Sequence, residues 1–187
     1  EKGVLVPSVL IMSLTPECNL SCPGCYAAAA GNVGGGGSRG PPLTIDQWRR
    51  VIDDACDLGV YCFVLAGGEP FMMEGLLSIP EGLPDRMFML FTNGTAVGDG
   101  HVRRLSRLSN TSTFVSVEGS RDMTDARRGA GVHDAAIGTL RQLTDAGAFC
   151  GISVTITRHN HRHWMERESL EPYLSMGVRA GVFIEYI

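Results

Sequence analysis

Cys18-Asn19-Leu20-Ser21-Cys22-Pro23-Gly24-Cys25 sets three thiols at C-x3-C-x2-C, just after the apolar run Val9-Leu10-Ile11-Met12-Ser13-Leu14. Three cysteines so close together read as three thiolates aimed at one point, not as core fillers. Thiolate is the soft ligand that iron–sulfur clusters and zinc take. Three protein ligands on a four-site cluster leave one metal open. By analogy with catalytic zinc, an open position means chemistry rather than scaffolding.

The spacing has rivals. Plant-type ferredoxins carry C-x4-C-x2-C and bacterial ones C-x2-C-x2-C-x3-C-P, and neither fits. Cys22-Pro23-Gly24-Cys25 is also a C-x-x-C redox pair, a reading that leaves Cys18 idle and wants a helix starting at Cys22. Structural zinc needs a fourth ligand, and the His-dense patch His159-Asn160-His161-Arg162-His163 lies far downstream. Two alternatives to an enzyme therefore stand: a non-catalytic iron–sulfur electron-transfer protein, and a zinc-stabilised interaction domain.

The totals bound the rest. A chain of 187 residues, 44% hydrophobic and 19% charged, is expected to form one domain over 1–187 with its own core. A net charge of −4 argues against a nucleic-acid partner, because phosphates need clustered Lys and Arg. No apolar run approaches the ~20 residues of a membrane span. With no secretory signal and a thiol-rich site that suits a reducing compartment, the expected location is the cytoplasm. The absence of an initial Met and an apolar run at the very end, Gly181–Ile187, predict a chain apparently truncated after its sixth strand. The tract 31–40 is expected to be a flexible Gly-rich loop, and its Gly34–Ser38 matches an engineered linker in composition.

Strand and helix signals alternate along the chain. Strands are expected at Val9–Leu14, Val60–Ala66, Arg86–Phe91, Thr113–Val117, Phe149–Thr157 and Gly181–Ile187. Helices are expected from Thr44 to Gly59, over Gly100–Leu108, Asp134–Ala146 and His163–Met176. Thr44 with Gln47 is a capping-box signature. Trp48, Val51, Ile52, Ala55 and Leu58 follow at helical spacing. Arg103, Arg104 and Arg107 read as a solvated face. Such alternation implies a parallel sheet with right-handed crossovers. In barrels of parallel strands, the loops at the strands' C-terminal ends build the site. The cysteines follow the first strand, Gly67-Gly68-Glu69-Pro70 the second, and Asn93 the third. Ser116 and Glu118 end the fourth. Cys56, Cys62 and Cys150 read as core thiols. His159, His161 and His163 fall at a helix start where Asn160 can cap, which makes a metal site there the weaker reading.

The cysteine spacing, joined to Gly67-Gly68-Glu69-Pro70, resembles the radical S-adenosylmethionine (radical SAM) superfamily. Thr92-Asn93-Gly94, Val115-Ser116-Val117-Glu118-Gly119 and Arg127-Arg128-Gly129 extend the likeness. The last two are similar to the branch that modifies peptides and other large substrates. Two positions depart from the pattern. Gly24 stands where an aromatic is usual, with Tyr26 just after, and Glu118 stands where that branch has Asp.

The resemblance implies an α/β fold, a partial (β/α)6 TIM-type barrel. It implies a 4Fe-4S cluster on Cys18, Cys22 and Cys25, with SAM chelating the remaining iron. One-electron cleavage of SAM then yields a 5′-deoxyadenosyl radical that takes hydrogen from a substrate, here with a weak lean to a peptide. It implies a one-electron donor such as a flavodoxin or ferredoxin. Gly67 and Gly68 would let backbone approach the methionine part. Glu69 would accept from its ammonium, and Pro70 would stiffen the exit. Ser116 and Glu118 would contact ribose or methionine. Arg128, or Arg127, would meet the SAM carboxylate. Asn93 is a candidate contact in a dipeptide that also reads as a turn, and Thr155 is a minor candidate for adenine. No catalytic side chain is singled out.

Overall fold

The computed structural model describes residues 5–31, 33 and 41–186. Gly34–Ser38, expected exposed and mobile, lies outside the described residues, as does Ile187. Six strands, β1 (Val9–Ser13), β2 (Cys62–Ala66), β3 (Met87–Thr92), β4 (Thr111–Ser116), β5 (Cys150–Ile156) and β6 (Ala180–Glu185), form one sheet in the order β1-β2-β3-β4-β5-β6. Every neighbouring pair is parallel. The sheet curls without closing, so β1 and β6 remain its two edges. This is the expected α/β half-barrel.

The helices are α1 (Tyr26–Ala29), α2 (Ile45–Leu58), α3 (Ser78–Gly82), α4 (Asp99–Leu105), α5 (Arg121–Arg128), α6 (Val132–Asp145), α7 (His161–Met165) and α8 (Arg167–Ser175). A single 3-10 turn spans Pro70–Met72. Alternate strand residues, Met12, Phe63, Leu65, Phe88, Leu90, Val115, Ile152 and Val154, pack against Ile52, Ala55, Val102, Leu105, Ala136, Leu140 and Leu143 of the helices. Period-two alternation in the strands and a 3.6-residue stripe in the helices meet in this one layer. The opposite, concave face carries Phe91 and Phe114, stacked at 5.1 Å.

Helix α2 begins as its sequence demands. Thr44 accepts from the Gln47 N–H and the Gln47 side chain accepts from the Thr44 N–H, a complete capping box. Gly59 ends it in the left-handed conformation, φ 107°. The short helices α1 and α3 are unexpected, and two larger helical features also depart from expectation. Helix α5 has no apolar stripe, so periodicity passes over it. Its signals are terminal: Ser120 accepts from the Met123 N–H, Asp122 lies in the first turn, and Arg127 and Arg128 lie in the last. The helix expected over His163–Met176 is two helices, because Glu166 between them is extended (φ −89°, ψ 133°). Arg104 is not merely solvated. It forks onto both oxygens of Glu81 at 2.7 and 2.6 Å.

Thr44→Ala removes one half of the capping box and should cost about 1 kcal/mol. A thermal unfolding midpoint lower by ~2–4 °C would be the readout for a domain of this size.

Candidate functional site

The parallel register puts Ser13, Ala66, Thr92, Ser116, Ile156 and Glu185 at one end of the sheet. The loop after β1 leaves from that end and carries Cys18, Cys22 and Cys25, all three half-buried free thiols. Within it the Cys25 N–H donates to the Cys22 carbonyl, and the Leu20 N–H reaches Cys18 Sγ at 3.5 Å. Gly24 turns the chain at φ 66°, a conformation that disfavours a side chain. A Cβ there would also lie 2.9 Å from the hydroxyl of Tyr186, just past β6. That explains why an aromatic is missing from this position. Burial pushes the Cys18 and Cys22 thiols up, opposed at Cys18 by the Leu20 N–H and at Cys22 by Arg128 and Arg127. As free thiols they hold their protons, so metal binding must displace them.

The tip of β2 docks onto this loop through backbone. The Gly68 N–H donates to the Thr15 carbonyl at 2.8 Å, and the Glu69 N–H to the Glu17 carbonyl at 2.7 Å. A Cβ on Gly68 would sit 2.0 Å from the Glu17 carbonyl oxygen, and one on Gly67 2.8 Å from that of Thr15. The sequence reading gave these glycines to close approach of a ligand. In the structure, the close approach on their side-chain faces is made by the cysteine loop itself.

Glu69 follows, 1% exposed. One carboxylate oxygen accepts from the Thr92 hydroxyl at 2.7 Å and the Phe71 N–H at 3.1 Å. The other accepts from the Asn93 N–H at 2.7 Å. Burial nevertheless pushes its pKa up, so a ligand cation would find an under-compensated charge. Pro70 opens the 3-10 turn and is buried. Asn93 is buried too, and its amide donates to the Asn19 side chain at 2.9 Å. Its side-chain oxygen takes the N–H and hydroxyl of Thr95, and Gly94 follows at φ 81°. Asn93 is thus a turn residue that also ties β3 to the cysteine loop.

Beyond β4 the arrangement is ionic. Glu118 is 1% exposed. Arg128 approaches one of its oxygens with Nε and Nη2, both at 2.7 Å, and Arg127 pairs with the same oxygen. The Thr155 N–H donates to the other oxygen at 3.3 Å. Arg127 reaches on to the Thr155 hydroxyl at 3.1 Å and to the Gly24 carbonyl at 3.3 Å. Glu118 and Arg128, expected as separate ligand contacts, bind one another. Ser116 is half-buried at the end of β4. Asn160 was expected to cap a helix. It does sit at the N-cap of α7, but its side-chain oxygen accepts from the Thr157 N–H at 2.7 Å and the Thr157 hydroxyl at 3.2 Å instead of from the helix. Its amide donates to the carbonyls of Glu118 and Thr155, with Trp164 Nε1 also on the Glu118 carbonyl. The sequence reading did not single out Thr92, Asn19, Trp164 or Tyr186. Only Thr92, in Thr92-Asn93-Gly94, offered a signal.

A cavity of about 540 Å³ opens beside the cysteine loop, lined in part by Gly24, Glu118, Arg127, Asn160 and Tyr186. Among the described residues, no three His, Cys, Asp or Glu side chains converge on a single metal ion. An iron–sulfur cluster takes its thiolates one to an iron, so a looser triangle suits it. Three half-exposed thiols on one loop, beside a buried carboxylate with acceptor capacity left and a cavity, fit a thiolate-held cluster with a cationic ligand. Of the remaining cysteines, Cys62 and Cys150 are buried, whereas Cys56 is half-buried and accepts from Arg86 Nε at 2.9 Å. No helix among the described residues is long and apolar enough to cross a membrane.

The family model for the radical SAM superfamily matches residues 12–169. The pre-heme d1 synthase of Dinoroseobacter shibae is 31% identical over 155 residues, 81% of this chain and 37% of that protein. The mycofactocin maturase MftC of Mycobacterium tuberculosis is 31% identical over 166 residues, 86% of this chain and 40% of that one. Among solved structures, Streptococcus suis SuiB bound to its precursor peptide SuiA superposes with a TM-score of 0.81 at 17% identity, covering 97% of this chain and 40% of SuiB. SuiB has also been solved with S-adenosylmethionine bound. The chain spans about two-fifths of the length of these relatives.

Gly68→Ala should cost about 3 kcal/mol, the upper end of ordinary overpacking, because backbone rather than a flexible side chain must give way. Denaturant titration would show it as a lower midpoint. Gly138→Ala, inside α6 where a Cβ would meet nothing within 4 Å, should come out neutral or slightly stabilising.

Proposed function

The chain belongs to the radical SAM superfamily, and on that premise we propose that it binds a 4Fe-4S cluster through Cys18, Cys22 and Cys25 and holds S-adenosylmethionine beside it. One observation carries this reading: consecutive strand tips bring the three thiols, buried Glu69 and the Glu118–Arg128 pair around one end of the sheet. When bound, the reduced cluster supplies one electron to the SAM sulfonium and so a 5′-deoxyadenosyl radical able to take hydrogen from a substrate. The chain's own part is to bind, orient and keep out water.

Glu69 receives the SAM ammonium on the acceptor capacity that Thr92, Phe71 and Asn93 leave free. Gly67, Gly68 and Pro70 act by holding Glu69 against the cysteine loop, and Asn93 steadies the same junction through Asn19. Arg128 has a second charge to share. As Glu118 occupies its Nε and Nη2, a SAM carboxylate is met by the rest of its fork. Ser116 and the Glu118 backbone border the ribose side. All of chain 1–187 serves this one core domain. A flavodoxin or ferredoxin supplies the electron, in the cytoplasm, where reducing conditions keep the thiols available.

The substrate is a peptide. The strand-four motif, the name of MftC and the fold of peptide-bound SuiB support that reading. A second reading, a heme precursor, is favoured by the equal identity to a pre-heme d1 synthase.

Anaerobic reconstitution should give a chromophore absorbing at about 400 nm, and reductant with SAM should release 5′-deoxyadenosine. Cys22→Ala should abolish that product, and its persistence would refute the ligand assignment. Glu69→Gln should weaken SAM binding about tenfold or more, the worth of one hydrogen bond to a charged group, as read by equilibrium dialysis.

A further inference from the structure

One guanidinium joins three separate loops here. Arg127, in the last turn of α5, pairs with Glu118 after β4, donates to Thr155 on β5, and crosses to the Gly24 carbonyl between the second and third cysteines. Neutralising Glu118 does not require it, since Arg128 already approaches that carboxylate with two nitrogens at 2.7 Å. What Arg127 adds is a tie to the cysteine loop at Gly24, whereas Gly68 and Glu69 hold it at Thr15 and Glu17. Gly24 has a left-handed backbone and no side chain of its own to pack, with the Cys22–Cys25 turn around it and the Tyr186 ring beside it.

We propose that Arg127 is a positioning residue for the cysteine loop: it holds the Gly24 carbonyl and thereby sets the second half of the loop, Cys22–Cys25, with a fixed positive charge beside it. The planar fork is what the task needs, because three acceptors in different directions require donors fixed at an angle to one another. A lysine carries the same charge but only a point ammonium. The proposal rests on the cluster reading for its chemical consequence, though not for its geometry.

Amide hydrogen exchange of the segment 22–29 in the cluster-free chain tests the tie. Arg127→Gln and Arg127→Lys should both exchange there about tenfold faster than the parent, the worth of one charged hydrogen bond. Exchange at β3, Met87–Thr92, should stay unchanged. Repeating Arg127→Gln in a Glu118→Gln background removes the counter-charge role and guards against a variant that fails to fold. The extra exchange should persist there. Its disappearance in that background, or an equal rise at Met87–Thr92, would overturn the tie.

The charge is tested in the loaded protein. Arg127→Gln should make cluster reduction about tenfold less favourable, ~59 mV for a one-electron couple, and Arg127→Lys should restore it. An unmoved potential would overturn the electrostatic part. If the parent chain takes up no cluster, the cofactor reading falls while the exchange result still decides the tie.

Discussion

The tightest fit at any described glycine is backbone on backbone: Gly68 lies against the Glu17 carbonyl with room for a hydrogen atom and nothing larger. Two hydrogen bonds, Gly68 to Thr15 and Glu69 to Glu17, make that contact specific. The cysteine loop has few other means of support. It is largely exposed, and its own helix α1 is a single turn. Rigidity comes to it from β2, a buried interior strand of the sheet, through residues without side chains. A loop that must present three sulfurs in one arrangement is here made an extension of the core.

Charge is handled differently on the two sides of the site. Near β2 the Glu69 carboxylate accepts hydrogen bonds from neutral donors only, and burial outweighs them and the Arg128 charge beyond. Near β4 a second buried carboxylate, Glu118, is matched by two arginines. A carboxylate without an ion-pair partner on one side and a carboxylate with two on the other make a charge gradient across this end of the sheet. A zwitterion with ammonium and carboxylate ends has an orientation imposed on it by such a gradient. Both carboxylates sit in a low-dielectric surround, where such preferences weigh far more than in water.

Much of this was legible in the residues. The alternation of strands and helices, the capping box of α2 and the placing of motifs at successive strand tips follow from periodicity and turn chemistry, which are local. Partnerships were not local and were missed. Nothing in Val115–Gly119 says that Glu118 will be taken by arginines from the next helix. Gly67-Gly68 announced a close approach without saying to what. Asn160 has the right type and place for a cap, yet Thr157 claimed the side-chain oxygen that a cap would use. Helix α5 hid because a short helix on the rim of a site has no wide apolar face to bury, leaving only its end residues as signal.

The unclosed sheet leaves two bordering strands. Val9–Ser13 and Ala180–Glu185 each present one row of backbone N–H and C=O groups that no neighbouring strand satisfies among the described residues. Apolar side chains accompany both rows, with Ile11 68% and Ile184 49% exposed. Open edges of this kind template pairing with another chain. A charge placed on either border would oppose such pairing.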